Sequence, residues 1–288
     1  MEIKNIREDK RSLFLSIATH GGITKTTEQK GLIEVLRQND FNPALLDADL
    51  ESDGFRESYG SRDENGVLLP MGYTELRDEN DELLSIEPSG NGVTELNLED
   101  KDSTLSNIMT SQALHNRDIV LNTKGGSLNH FIAQYGSLRP FYDAHKETTA
   151  FYLINPIVDI EKSFLNLDAL ADAHQVLQTQ REKRNGGGLE VEIHFVNILN
   201  LGKVGESMAE RKKITEKYNL WLKTVKLPSQ IKIHTFRFEA RFDNPITKDF
   251  FTNKSILDNI ADMPMGTKII ATQFLNEREE AWGELLGF

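Results

Sequence analysis

Short continuous apolar runs alternate along the chain with stretches in which apolar residues return every three or four positions. Runs such as Leu13-Phe14-Leu15 predict strands buried on both faces, and the longer periodic stretches predict amphipathic helices. The strand candidates are 12–18, 44–47, 118–123, 151–155, 191–199 and 231–238; the helix candidates are 25–39, 104–115, 165–183, 207–223 and 276–286. Strands that alternate with helices in this way imply βαβ units, hence an α/β fold with a mostly parallel sheet and helices on both faces.

The alternation breaks between the second strand and helix 104–115. Residues 54–104 hold 13 acidic and 4 basic residues and repeat Arg-Asp-Glu-Asn at 62–65 and 77–80. Asn65-Gly66 and Asn80-Asp81, flanked by Val67, Leu68 and Leu69 and by Leu83 and Leu84, predict two hairpin turns. The segment reads as a solvated acidic insertion within one domain spanning 1–288, or as a partner-binding arm. Gly186-Gly187-Gly188 predicts a loop between a helix and the next strand.

Composition narrows the chemistry. The 288 residues include no cysteine, which excludes disulfides, zinc thiolates and thiol nucleophiles and makes the cytoplasm the default compartment. No apolar run approaches the roughly 20 residues of a membrane span, and the charged N-terminus lacks the apolar stretch of a secretory signal. A formal charge of −12 disfavours non-specific DNA binding, since phosphate backbones are gripped through Lys and Arg.

The strongest chemical signal follows the first strand. His20-Gly21-Gly22-Ile23-Thr24-Lys25-Thr26-Thr27 runs straight into an amphipathic helix with Leu32, Ile33, Val35 and Leu36. A strand, a glycine turn, Lys-Thr and a helix make a phosphate cradle: glycines let N–H groups converge and the helix N-terminus adds partial positive charge. Lys25 would then meet the β and γ phosphates and the Thr26 hydroxyl a magnesium ion. The bland alternative is a Gly-rich turn beside a surface lysine, because G-x-x-x-x-G-K-[ST] is not satisfied in full. A dinucleotide fold lacks its G-x-G-x-x-G here. The second strand, Leu45-Leu46-Asp47-Ala48-Asp49, ends in carboxylates where open α/β sheets bind ligands.

Gly21-Gly22-x-x-Lys25-Thr26 followed by Leu-Leu-Asp-x-Asp resembles the deviant Walker A family of ParA, MinD and nitrogenase iron protein. Asp118-Ile-Val-Leu-Asn-Thr-Lys-Gly-Gly126, 151–156 and Phe195-Val196-Asn197 resemble that family's later strands. Residues 47–59 and 104–126 most resemble the nucleotide-binding TraL and StbB proteins of conjugative plasmids. The resemblance implies a nucleotide switch in plasmid partition, conjugative transfer or cargo positioning, with ATP and Mg2+ as cofactors, an ATP-dependent homodimer and a protein partner. It assigns the phosphates to the loop from His20 to Thr27, the adenine to Asn197, the metal to Thr26, Asp47 and Asn122, and catalysis to Lys25 and Asp49, which orients water.

Three positions depart from the pattern. His20 stands where a lysine reaches the partner's nucleotide, Thr24 where glycine precedes Lys25, and Asn122 where an acid orients magnesium. These departures put hydrolysis in question and leave open a non-hydrolysing protein-binding module or a small-molecule phosphotransferase. No His residues are spaced i, i+4 and no HExxH occurs, so a histidine metal site has no support. His194 and His234 read as structural side chains, the basic stretch from Arg211 to Lys226 as a solvated helix face with Tyr218, Leu220 and Trp221 partly buried, and the acidic C-terminal helix as docked on the body or a partner rather than on a membrane.

Overall fold

The computed structural model describes residues 4–22, 24–49, 54–60, 73–77, 83–88, 93–96, 117–143, 145–182, 191–204, 207–240 and 255–288. Its elements in chain order are β1 (Arg11–Leu15), α1 (Lys25–Gln38), β2 (Ala44–Ala48), α2 (Gly54–Tyr59), β3 (Tyr73–Arg77), β4 (Leu83–Pro88), β5 (Val93–Glu95), β6 (Ile119–Thr123), α3 (Ser127–Tyr135), α4 (Arg139–Asp143), β7 (Thr149–Ile157), α5 (Lys162–Glu182), β8 (Glu192–Asn200), α6 (Leu201–Val204), α7 (Met208–Thr224), β9 (Ile231–Phe238), α8 (Ile256–Asn259) and α9 (Met265–Leu286).

Seven strands form one sheet in the order β5-β2-β6-β1-β7-β8-β9, and every pairing within it is parallel. The apolar runs explain this arrangement. Successive residues of a strand face opposite sides, and a strand apolar on both needs cover on both. Leu13 and Leu15 pack with Leu46, Leu121 and Leu153 against Leu128 and Phe131 of α3, Phe141 of α4 and Leu170 of α5. Phe14 turns the other way, with Leu45, Val120 and Tyr152, against Leu32, Ile33 and Leu36 of α1, Phe55 of α2 and Trp282 of α9. Helices therefore cover both faces, as the sequence predicts. The chain leaves β1 for β2 on one side and later crosses from β6 to β7 on the other. The connections thus diverge around β1, and the carboxyl end of β1 opens at the place where such sheets bind ligands.

All six predicted strands appear, five with an end moved by one to three residues and 231–238 with both ends as expected. The acidic segment is less detached than its composition suggests: α2 buries Phe55 and Tyr59 in the core, and β5 pairs with β2 as a sheet edge. The antiparallel pair β3–β4 brackets Asn80-Asp81. That turn itself, Asn65-Gly66, helix 104–115 and the triple glycine lie outside the described residues. The C-terminal helix begins eleven residues before its expected start. Gly266, Ile269, Ile270 and Thr272 give its first half weak helical preference; burial of Ala271, Phe274 and Leu275 beside Ile256 and Met263 overrides it. Leu220 is exposed rather than partly buried.

Candidate functional site

The loop after β1 is held from beneath by groups far away in the chain. The Ala18 N–H donates to Ser127 Oγ at 3.1 Å, and the Thr19 N–H to Asn166 Oδ1 at 2.7 Å. Leu128 N–H returns a bond to the Ala18 carbonyl at 3.2 Å. Gly125 lies against the loop so closely that a Cβ there would be 2.6 Å from Gly21 N and 2.8 Å from Gly21 Cα. His20, Gly21 and Gly22 are exposed, and His20 Nδ1 shares a hydrogen bond of 2.8 Å with Thr19 Oγ1. Gly22 has φ 78°, a left-handed conformation natural for glycine. Ile23 lies outside the described residues.

Thr24 caps α1 with φ 59° and ψ 22°, and its hydroxyl makes no cap bond. A β-branched residue in this region is strained, and Thr24 Oγ1 is buried without a partner among the described residues. Thr24→Gly is therefore expected to stabilise the protein by about 1 kcal/mol, raising Tm by roughly 2–4 °C. A melting curve at or below the wild-type one would contradict the strain.

Helix α1 then begins with Lys25, Thr26 and Thr27. Its first internal bond is from Glu28 N–H to the Thr24 carbonyl at 3.1 Å, so the N–H groups of the first turn remain open to an anion. Lys25 is only 7% exposed. Burial pushes its ammonium pKa down, opposed by the charge of Asp49. Among the described residues no hydrogen bond or ion pair satisfies it. A largely buried cation with only a through-space carboxylate is costly, and beside an open helix N-terminus it suits a negative charge.

A short relay lies behind it. Thr26 Oγ1 donates to Asn122 Oδ1 at 3.2 Å, and Asn122 Nδ2 donates to Asp47 Oδ1 at 2.8 Å. Asp47 is fully buried and accepts the backbone N–H groups of Asp49 at 3.1 Å and Phe55 at 3.0 Å. Burial raises its pKa, and the hydrogen bonds from Phe55, Asp49 and Asn122 oppose the rise. An acid at position 122 could not donate to Asp47 and would face it as a second carboxylate, so asparagine suits this relay. Gly54 closes the space: a Cβ there would lie 2.9 Å from both Asn122 Nδ2 and Asp47 Oδ2. Burial holds the Lys30 amine, one turn along α1, at about 8 against the pull of Asp47, Glu34 and Glu57.

The structure thus brings together His20, Gly21, Gly22, Thr24, Lys25, Thr26, Thr27, Asp47, Asp49 and Asn122. It does not bring Asn197. That residue is fully buried in the body of β8, where Oδ1 accepts from Asn155 at 3.0 Å and Nδ2 donates to Tyr218 at 3.1 Å. An adenine contact would require opening this chain, so the base-binding role expected of Asn197 is withdrawn. Gly125, Ser127, Asn166 and Gly54 are the site residues missed by sequence reasoning, and only the Lys-Gly-Gly turn hinted at one of them. Among the described residues no group of three or more His, Asp or Glu side chains could hold a metal.

No protein-family model matches the chain, and no curated protein matches it. The similar solved structures include ParA and MinD proteins. A structure of pNOB8 ParA bound to nonspecific DNA is 14% identical with TM-score 0.47, covering 94% of this chain and 99% of that one. A ParA family ATPase from Chlorobium tepidum TLS is 13% identical with TM-score 0.40, covering 93% and 99%. The MinC:MinD cell division protein complex of Aquifex aeolicus is 14% identical with TM-score 0.39, covering 96% of each chain. What the site can bind is decided by its own residues. An open helix N-terminus beside a lysine side chain can meet an anion. Among the described residues no helix is long and apolar enough to cross a membrane.

Proposed function

We propose that this chain is a ParA/MinD-type protein that binds ATP with magnesium and acts in the cytoplasm as a nucleotide switch in plasmid partition, conjugative transfer or cargo positioning. The observation that carries the reading is Lys25, a buried side chain at the open N-terminus of α1 whose ammonium feels the charge of Asp49 but makes no hydrogen bond or ion pair among the described residues. Lys25 and the first-turn N–H groups would hold the β and γ phosphates, and the Thr26 hydroxyl, supported from behind by Asn122 and Asp47, would hold the metal. Bound magnesium would supply positive charge to neutralise the phosphates. Asp49, partly exposed beyond Asp47, orients the attacking water.

Turnover is slow or absent in this reading, because Asn122 supplies no charge to the metal shell. The ATP-bound homodimer is weak, because His20 replaces the long, permanently charged side chain expected to reach across it. A protein partner reads the bound state, and this chain itself would be of the kind of the TraL and StbB proteins of conjugative plasmids.

Phosphate release at saturating ATP and magnesium, with sedimentation of the same sample, tests this. Asp49→Ala should bind ATP within about threefold of the wild type, and any phosphate release should fall at least about tenfold, since a water-positioning carboxylate acts in the transition state. Equal turnover by the two proteins would reduce Asp49 to a strand-end residue. A tight dimer independent of ATP would remove the switch.

A further inference from the structure

Glu28 sits three residues beyond Lys25, so an axial rise of only about 4.5 Å separates them on α1. A carboxylate in the first turn suits a bare helix N-terminus, yet it opposes the arrival of a phosphate. Both it and Arg278 of α9 have fully buried side chains, 2.7 Å apart at the closest N···O pair. Arg278 Nη2 also donates to Glu28 Oε1 at 3.0 Å, and Nε donates to Oε2 at 3.2 Å. Asn200, the last residue of β8, donates to Glu28 Oε1 at 2.5 Å. The guanidinium lies 3.4 Å from the Phe274 ring centroid and 4.1 Å from that of Phe238. Gly31 makes way for it: a Cβ there would come within 2.6 Å of Arg278 Nε.

Packing alone does not call for such a pair, because apolar replacements of a buried ion pair are often as stable or more so. Its placement suggests what it does. We propose that Arg278 is a positioning residue of the nucleotide site: it cancels the Glu28 charge beneath the phosphates and ties the first turn of α1 to α9 and the end of β8. This rests on the ATP reading above. Without Arg278, a bare carboxylate stands one turn from the phosphate seat. A unit charge about 10 Å from a phosphate, at an effective dielectric of about 20, changes affinity on the order of tenfold.

The test is equilibrium titration of the full chain with ATP and magnesium, alongside thermal melts, for the wild type, Glu28→Gln, Arg278→Met, the double variant and Arg278→Lys. Both Glu28→Gln and Arg278→Met lower Tm, because each disrupts one side of a buried pair. Their affinities separate: Arg278→Met binds ATP about tenfold or more weakly, whereas Glu28→Gln binds at least as tightly as the wild type. The double variant and Arg278→Lys return to within about threefold of wild type, the first by removing both charges and the second by keeping the cation. Should Arg278→Met not fold, Glu28→Gln and Arg278→Lys decide the matter, since a purely structural pair would weaken binding in both. Affinities that track Tm, or an Arg278→Met protein that binds like the wild type, overturn the proposal. A wild type that does not bind ATP overturns the nucleotide reading instead.

Discussion

Lys25→Ala is expected to weaken ATP binding at least about a hundredfold while leaving Tm unchanged or raising it. The first effect follows from removing a charge-assisted contact to the phosphates, worth about 1.5–3 kcal/mol for each hydrogen bond lost. The second follows from the geometry of the free protein, in which Lys25 is buried, makes no hydrogen bond or ion pair among the described residues, and loses more to desolvation than the charge of Asp49 returns. Its alanine replacement relieves desolvation without breaking a contact, the opposed signs that mark a residue kept for binding rather than folding. The lowered pKa also sets a pH dependence. The unfolded chain holds the Lys25 proton more tightly, so the destabilisation is full below the folded pKa and fades as pH rises from there towards the ordinary lysine value. ATP affinity runs the other way, falling as pH rises through the lowered pKa and the ammonium is lost. Denaturation and ATP titration of wild type and Lys25→Ala across that range read both. A large loss of Tm in the variant, with affinity retained, would make Lys25 a structural side chain.

Gly125→Ala should be nearly as damaging, for a steric reason. The added Cβ would sit 2.6 Å from Gly21 N, 2.8 Å from Gly21 Cα and 3.1 Å from His20 C. All three are backbone atoms of the loop, so relief requires the loop to move outward as a unit. We expect ATP affinity to fall at least about tenfold and stability by about 1–3 kcal/mol, the usual range for an overpacked contact. Gly126 is the internal control. It has φ 85° but no heavy atom within 4 Å of a Cβ, so Gly126→Ala strains its own backbone by about 1–2 kcal/mol and leaves ATP affinity within a few-fold. Equal affinity losses in the two variants would show that general destabilisation, rather than the Gly125 contact, weakens binding.

The fold was legible wherever a segment carried its own pattern. Leu13-Phe14-Leu15 and Ile119-Val120-Leu121 announce central strands, because parallel strands covered on both faces need uninterrupted apolar residues. β5 escaped notice because Val93-Thr94-Glu95 is too short and polar to stand out inside an acidic segment, and only β2 gives it a place. The front half of α9 escaped because its preference is weak and its helicity comes from burying Ala271 and Phe274. The glycine loop, Lys25, Thr26 and the carboxylates of β2 were legible for the same local reason. Their supports were not. Ser127, Asn166 and Arg278 reach the site across separations of 109, 147 and 250 residues, and no local periodicity encodes such a meeting. Asn197 shows the converse: its adenine role came from resemblance alone, and within β8 it sits inside the sheet with both polar ends engaged.

Equilibrium titration of the wild-type protein with labelled ATP, with magnesium and then with a chelator, tests the central claim most directly. Saturable one-site binding that weakens when magnesium is removed and vanishes in Lys25→Ala is the predicted result. A folded wild-type chain that binds no ATP in either condition would contradict it.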